Sequence, residues 1–210
     1  MIRRISIAAF VLLTATLAVA QSPKGWMVRV DRSMSASDPD GAGSVKFVTT
    51  ASGFHATNPQ AAVFWNPANT ATGNYTLKGN FTLLKPSGHT NYYGLVFGGS
   101  GLEGGQQTYI YFMVAQDGIW LLNQRSGNDA TPTVAGPTRN SAVKMPDASG
   151  KSVNALEVRV KANSIDYLVN GAVVHTTPKS GLTAKTDGLY GLRVNHLLDV
   201  QADGLTVIMP

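Results

Sequence analysis

The 210-residue sequence has no cysteine and only two glutamates, and charged residues make up just 14% of it. Without cysteine, the protein has no disulfide bond, no thiolate metal site and no thiol on which a lipid anchor could be built. With Glu103 and Glu157 as its glutamates, it offers few candidates for acid–base catalysis. The 43% share of hydrophobic residues excludes a charge-rich disordered chain or a coiled coil.

Long hydrophobic runs are also missing, except near the N-terminus. Residues 5–17 are apolar apart from Ser and Thr, follow a pair of arginines and precede the small residues Ala18-Val19-Ala20. This order predicts a signal peptide over residues 1–20 that is cleaved before Gln21. Because a permanent membrane span needs about 20 apolar residues, we expect a secreted or periplasmic mature protein without a membrane anchor.

The net charge is modest, and no part of the chain carries a cluster of basic residues. The formal charge of +5 falls by two, to +3, when the two N-terminal arginines leave with the signal peptide. Nucleic-acid binding depends on a concentrated Lys/Arg face. Nucleic acid is therefore not an expected partner.

The rest of the chain alternates between short apolar–polar runs and clusters of Gly, Pro, Asn and Asp. Period-two patterning without long helical periodicity predicts an all-β fold, and short turns favour antiparallel strands. We expect one domain over residues 22–210, an antiparallel β-sandwich or barrel. The predicted strands are 26–30, 45–50, 61–65, 75–84, 92–97, 108–115, 119–123, 153–161, 164–169, 172–176, 188–195 and 200–208.

One hairpin can be predicted in detail. Asn170-Gly171 favours a two-residue turn of type I′, in which both residues have positive φ. A regular ladder from this turn would put Asp166 opposite His175 on the outer face and Tyr167 opposite Val174 in the core.

Two strands, 91–99 and 108–115, are apolar on both faces, which is typical of strands in the middle of a sheet. In the second, alternation places Tyr109 and Tyr111 on the face opposite Ile110 and Phe112. We expect that tyrosine face to be the concave outer surface of a sheet.

Four segments carry a resemblance to a known superfamily. They are "GNYTLKGNFTLLKPSGHTNYYGLVFGG", "QQTYIYFMVAQDGIWLLNQRSG", "NALEVRVKANSIDYLVNGAVVH" and "DGLYGLRVNHLLDVQADGLTV". Over residues 73–207 their order resembles the concanavalin A-like lectins and glucanases, in particular the laminin G-like and 3-keto-disaccharide hydrolase types. The resemblance implies an all-β, antiparallel jelly-roll β-sandwich of two curved sheets, and a carbohydrate or a related extracellular polymer as the partner.

The glucanase signature E-x-D-x-x-E is absent. Glycoside hydrolysis needs a pair of neighbouring carboxyl groups, whereas Glu103 lies in a Gly-rich segment and Glu157 lies beside Arg159 on a different strand. We therefore expect a lectin-like protein that binds without catalysis. Two alternatives stay open: an enzyme of the 3-keto-disaccharide hydrolase type, and a structural or adhesion domain with a protein partner.

Aromatic and polar residues on the expected concave face are the candidate ligand-binding residues. Sugars stack on aromatic rings, while amide, guanidinium and imidazole groups bind their hydroxyls. The candidates are Tyr93, Tyr109, Tyr111, Trp120, Arg125, Arg193, Asn195 and His196. If this face is open, Tyr111→Ala and Arg193→Ala weaken binding and leave stability nearly unchanged. Alternatively, the rings belong to the core and the arginines pair with carboxylates.

Asp31, Asp38 and Asp40 fall within one short turn-rich segment and are candidate calcium ligands, since calcium takes several carboxylate oxygens. The alternative is a solvated turn at Asp38-Pro39-Asp40-Gly41. The four histidines lack H-x-H or H-x-x-x-H spacing, so no zinc site of neighbouring residues is visible. Calcium is the one cofactor that we consider.

The signal peptide is directly testable. We expect N-terminal sequencing of the exported protein to begin at Gln21. A protein recovered from the periplasm or the medium that still begins at Met1 would contradict this prediction.

Overall fold

The structure, a computed structural model, describes residues 23–128 and 131–210. The predicted signal peptide and its cleavage site lie outside the described residues. The described residues form two antiparallel seven-stranded sheets, here called the front and back sheets. Within these residues, no helix is long and apolar enough to cross a membrane.

The front sheet has the strand order β1-β4-β13-β6-β7-β8-β9. Its strands are β1 (Met27–Asp31), β4 (Ala61–Ala71), β6 (Tyr92–Ser100), β7 (Thr108–Ala115), β8 (Ile119–Ser126), β9 (Thr133–Arg139) and β13 (Gly188–Val194).

The back sheet has the order β12-β11-β10-β5-β14-β3-β2. Its strands are β2 (Lys46–Thr49), β3 (Gly53–Asn58), β5 (Tyr75–Lys85), β10 (Ser152–Val160), β11 (Ser164–Val169), β12 (Ala172–Pro178) and β14 (Leu198–Ile208). The predicted all-β antiparallel sandwich is confirmed.

The core lies between the two sheets and follows from the alternation along each strand. On β10, Leu156 and Val158 are buried, whereas Arg159 points outward. On β5, every second residue from Tyr75 to Leu83 is buried in the same way. Removing these side chains from water supplies about 25 cal/mol per Å² of apolar surface, so the alternation stabilises the pairing of the sheets.

Strands β6 and β7 occupy the middle of the front sheet, as their two apolar faces predict. Ile110 and Phe112 face the core between the sheets. Tyr109, Tyr111 and Met113 belong to a second apolar cluster on the outer face. The front sheet is therefore buried on both sides near its centre.

The sequence pattern does not predict two of the observed strands, β3 and β9. The segment of β3, Gly-Phe-His-Ala-Thr-Asn, begins with a turn residue and is only six residues long. Strand β9 contains Gly136 and Pro137, which normally mark turns. Proline is tolerated here because β9 is an edge strand.

The hairpin of β11 and β12 has the predicted turn, with φ of 51° at Asn170 and 83° at Gly171. The predicted register beyond it is wrong. A bulge shifts the pairing, so that Tyr167 pairs with His175 and Asp166 pairs with Thr176. An extra residue in one strand reverses which face the following side chains occupy.

The bulge places the His175 ring in a stack with Trp120, with ring centroids 5.1 Å apart. Asp166 instead binds Lys161 Nζ at 2.5 Å. Tyr167 is fully buried as predicted, and Val174 is partly buried against the core.

Two substitutions on β10 test the assignment of its faces. Leu156 is 1% exposed and Val153 is 51% exposed. We expect Leu156→Ala to lower the free energy of unfolding by about 2 to 5 kcal/mol, and Val153→Ala by about 0.5 kcal/mol or less. Urea denaturation measures both, and equal losses would contradict the assignment.

Candidate functional site

Three charged side chains meet on the outer face of the front sheet. The register places Arg29 of β1 and Arg193 of β13 on either side of Val63 of β4, so both project from the same face. Arg193 Nη1 donates to Asp31 Oδ2 at 2.5 Å, and Arg29 Nε donates to Asp31 Oδ1 at 3.1 Å. One carboxylate is thus shared by two guanidinium groups.

This ion pair is largely removed from water. Arg193 is 9% exposed, its Nη1 also donates to the Tyr109 hydroxyl at 2.8 Å, and its guanidinium lies 5.3 Å from the centre of the Tyr111 ring. Burial by itself would raise the pKa of Asp31, but Arg193 and Arg29 outweigh it and lower that pKa. Burial raises the pKa of Tyr109, which keeps its hydroxyl neutral.

The same arginines hold the loops at this edge of the sheet. Arg29 donates to Gly104 O at 2.6 Å and to Asn128 Oδ1 at 2.7 Å. Arg125 donates to Gly127 O at 2.8 Å and also to the carbonyl of Asn128. The loop from 101 to 107 contributes Leu102 to the apolar cluster of Tyr109 and Tyr111. These contacts cover the tyrosine face.

Beside the covered face lies an open cleft of about 650 Å³. Its volume falls within the range of small-molecule sites. Its polar lining includes Arg29, Asp31, Arg32, Ser33, Asp38, Asn91, Arg125, Asn128, Arg193, Asn195 and His196. The arginines outnumber the carboxylates, so the cleft favours ligands rich in oxygen acceptors.

Two buried polar atoms of this lining have no hydrogen-bond partner among the described residues. They are Nε of Arg193, a donor, and Oδ1 of Asn195, an acceptor. Buried polar groups are normally hydrogen-bonded. Both atoms are shielded from solvent, although the residues that carry them also line the cleft.

The prediction that Tyr93 and Trp120 belong to this site is wrong. Both residues pair with Val114 and share its side of the front sheet, where they lie in the core between the sheets. Tyr93 is 0% and Trp120 4% exposed. The alternation that points Tyr109 outward points these two rings inward.

Tyr109 and Tyr111 lie on the predicted face but are 1% and 4% exposed. None of the described residues that line the cleft is a Phe, Tyr or Trp, so the expected floor of tyrosine and tryptophan rings is not accessible. Burial also contradicts the expectation that truncating Tyr111 or Arg193 would leave stability unchanged. Arg125, Arg193, Asn195 and His196 do line the cleft.

A cluster of histidines and carboxylates stands at the edge of the cleft. Asp38 Oδ1 lies 2.9 Å from His89 Nε2 and 3.1 Å from His196 Nε2. In the part of the chain that the structure describes, Asp38, His89 and His196 are the one group of three such residues that converge closely enough to hold a metal ion.

The predicted calcium ligands do not converge as a set. Asp31 binds the two arginines, while Asp40 contacts His196 Nδ1 at 3.3 Å. Asp38 and Asp40 instead contact His89 and His196, two histidines that are far apart in the sequence.

Sequence reasoning missed several residues of this region, including Arg29, Asn91 and His89. A signal for Arg29 existed, because the period of two in residues 26–31 places it on the face of Asp31. No local signal existed for His89, which lies in a loop and meets His196 across 107 residues of sequence.

The sequence matches no protein-family model and no curated protein. Among solved structures, it is similar to a carbohydrate-binding module of family CBM66 from Bacillus subtilis. That match has a TM-score of 0.62 and 10% identity and covers 88% of this chain and 96% of that one.

Two further solved structures are similar to this chain over most of its length at low sequence identity. A GH16 protein of a Bacteroides ovatus mixed-linkage glucan locus, solved with a G4G4G3G product, has a TM-score of 0.55 and 10% identity, covering 90% of this chain and 97% of that one. A Bacillus subtilis protein of unknown function with a galectin-like fold has a TM-score of 0.56 and 14% identity, covering 88% and 89%. The chain has the jelly-roll fold of the concanavalin A-like lectins and glucanases.

The two glutamates lie apart from the cleft lining. Glu157 is on β10 of the back sheet, 2.6 Å from Arg159 Nε, and Glu103 is in the loop between β6 and β7. Of the cleft carboxylates, Asp31 is held ionised by its two arginines. An ionised carboxylate in an ion pair is a poor proton donor.

The buried ion pair predicts a pH-dependent stability. We expect Asp31→Asn to lower the free energy of unfolding by about 3 to 5 kcal/mol at pH 7, because Arg193 is left buried without its counter-charge. The pKa of Asp31 is lower in the folded than in the unfolded chain. Its contribution is therefore complete above the unfolded value of about 3.9 and is lost as the pH falls through the folded value.

Urea denaturation of wild type and Asp31→Asn between pH 2 and pH 7 measures this difference, which should shrink at acidic pH. Arg193→Ala should lower stability similarly at pH 7. Arg159→Ala, which breaks an exposed ion pair on the back sheet, should cost about 1 kcal/mol or less. Equal effects of the two arginine substitutions would contradict the assignment.

Proposed function

We propose that this protein binds carbohydrate, without cleaving it, in the polar cleft at the edge of the front sheet. The observation that carries the proposal is the polar lining of the open cleft, where arginine and asparagine residues surround one space of about 650 Å³. A sugar hydroxyl both donates and accepts hydrogen bonds. Neighbouring hydroxyls on one ring can therefore pair with several side chains of this lining.

The lining of the cleft favours one mode of carbohydrate recognition. Phe, Tyr and Trp are absent among the described lining residues, so stacking on their rings cannot supply the affinity. Guanidinium and amide groups surround the space instead, and such groups bind hydroxyl or carboxylate oxygens in defined directions. We infer that the ligand is a short saccharide or the end of a chain, not a flat polysaccharide surface.

Similar folds support a carbohydrate ligand without identifying it. Solved structures of similar fold are described as a carbohydrate-binding module and as a GH16 protein with an oligosaccharide product. With the signal peptide expected at residues 1–20, we propose a secreted or periplasmic protein that meets its ligand outside the cytoplasm.

Calorimetric titration with gluco-, galacto- and fructo-oligosaccharides and with oligouronates tests this proposal. We expect at least one class to bind the mature protein. Asn195→Ala and Arg32→Ala should weaken that binding by roughly 3- to 10-fold each, the effect of one lost hydrogen bond. Arg32 is exposed and Asn195 is half-buried, so both variants should keep the fold.

The matched control is Asn80→Ala, on the exposed face of the back sheet, which should bind like wild type. Absence of binding to every class, or an equal loss in the Asn80 variant, would overturn the proposal. Release of reducing ends from any bound oligosaccharide would show that the protein cleaves its ligand, and this result would contradict the proposal of binding without cleavage.

A further inference from the structure

Three metal-ligating atoms from distant parts of the chain form a tight triangle. His89 Nε2 and His196 Nε2 are 3.2 Å apart, and Asp38 Oδ1 lies 2.9 Å from the first and 3.1 Å from the second. His89 and Asp38 belong to loops, and His196 follows β13. Since no two of them are neighbours in sequence, the fold itself brings them together.

The size of this triangle matches one face of a zinc coordination sphere. Zinc binds nitrogen and oxygen at about 2.0 to 2.2 Å in tetrahedral geometry, which puts neighbouring ligand atoms roughly 3.3 to 3.6 Å apart. The observed separations are a few tenths of an ångström shorter. The His89 and Asp38 side chains are 44% and 49% exposed, so both have room to rotate, and an ion would replace the present contact of His89 Nε2 with Asn91 Nδ2 at 3.0 Å.

The contact of His196 Nδ1 with Asp40 directs the opposite ring nitrogen, Nε2, into the triangle. His196 Nδ1 lies 3.3 Å from Asp40 Oδ1, and the backbone N–H of Ser33 donates to Asp40 Oδ2 at 2.9 Å. A carboxylate that accepts from Nδ1–H leaves Nε2 free to ligate, which is the common second contact of metal-bound histidine. Asp40 therefore orients the ring.

His89 Nε2, His196 Nε2 and Asp38 Oδ1 surround one point, where a single metal ion could contact all three atoms. Two imidazole nitrogens with one carboxylate favour zinc over calcium, which prefers oxygen ligands throughout.

We propose that Asp38, His89 and His196 bind one zinc ion, with Asp40 as the positioning residue. Three protein ligands leave the fourth position to water or to a ligand oxygen. Asp38 and His196 also line the cleft, so the ion would stand at its edge. The proposal does not depend on carbohydrate binding and is tested without a sugar.

The experiment uses the mature protein without a polyhistidine tag, freed of metal by dialysis against a chelator. Calorimetric titration with zinc chloride should give one ion per chain. Asp40→Asn should weaken zinc binding by about 10- to 100-fold, the usual effect of losing an orienting contact. His89→Ala should weaken it further, and circular dichroism should show an unchanged fold because His89 is exposed.

The matched control is His55→Ala, which removes a histidine that pairs with Asp199 on the back sheet. This variant should bind zinc like wild type. No zinc binding by wild type, wild-type affinity in His89→Ala, or an equal loss in His55→Ala would each overturn the proposal. Binding of calcium at these residues in preference to zinc would overturn the choice of metal.

Discussion

The carboxylate of Asp31, shared between Arg29 and Arg193, holds the outer face of the front sheet together. It joins β1, at the edge of the sheet, to β13, two strands away. A buried arginine without this partner would be strongly unfavourable. The guanidinium of Arg29 also donates hydrogen bonds to Gly104 and Asn128. The ion pair of Arg29 and Asp31 therefore also fixes the position of the two loops that carry these residues.

This arrangement changes what the front face can do. Tyr109 and Tyr111 are enclosed with Leu102 and hold Arg193 instead of meeting a ligand. The surface that a ligand can reach is instead the polar cleft at the edge of the front sheet. Under the proposed function, recognition in this cleft would depend on hydrogen-bond direction and charge, which select a defined ligand end more than an extended flat surface.

Strand alternation is enough to predict an antiparallel all-β fold, the central strands and the outward direction of Tyr109, whereas the choice of a sandwich over a barrel rests on the resemblance to lectins and glucanases. Tyr93 and Trp120 were misplaced because their chemistry, not their register, suggested a sugar site. The bulge before His175 brings its ring against Trp120, a tertiary contact that no local pattern reports. The meeting of His89 with His196 depends on loop positions, and loop contacts across 107 residues leave no trace in periodicity.

The central claim is that the cleft beside the Asp31–Arg193 pair receives a saccharide. Chemical-shift mapping with the oligosaccharide of highest affinity tests it most directly. The account predicts that the Arg193 Nε–H signal, the Asn195 backbone amide and the amides of residues 29–33 shift, while those of the β11–β12 hairpin do not. Shifts confined to the back sheet, with the Arg193 and Asn195 signals unmoved at saturation, would contradict it.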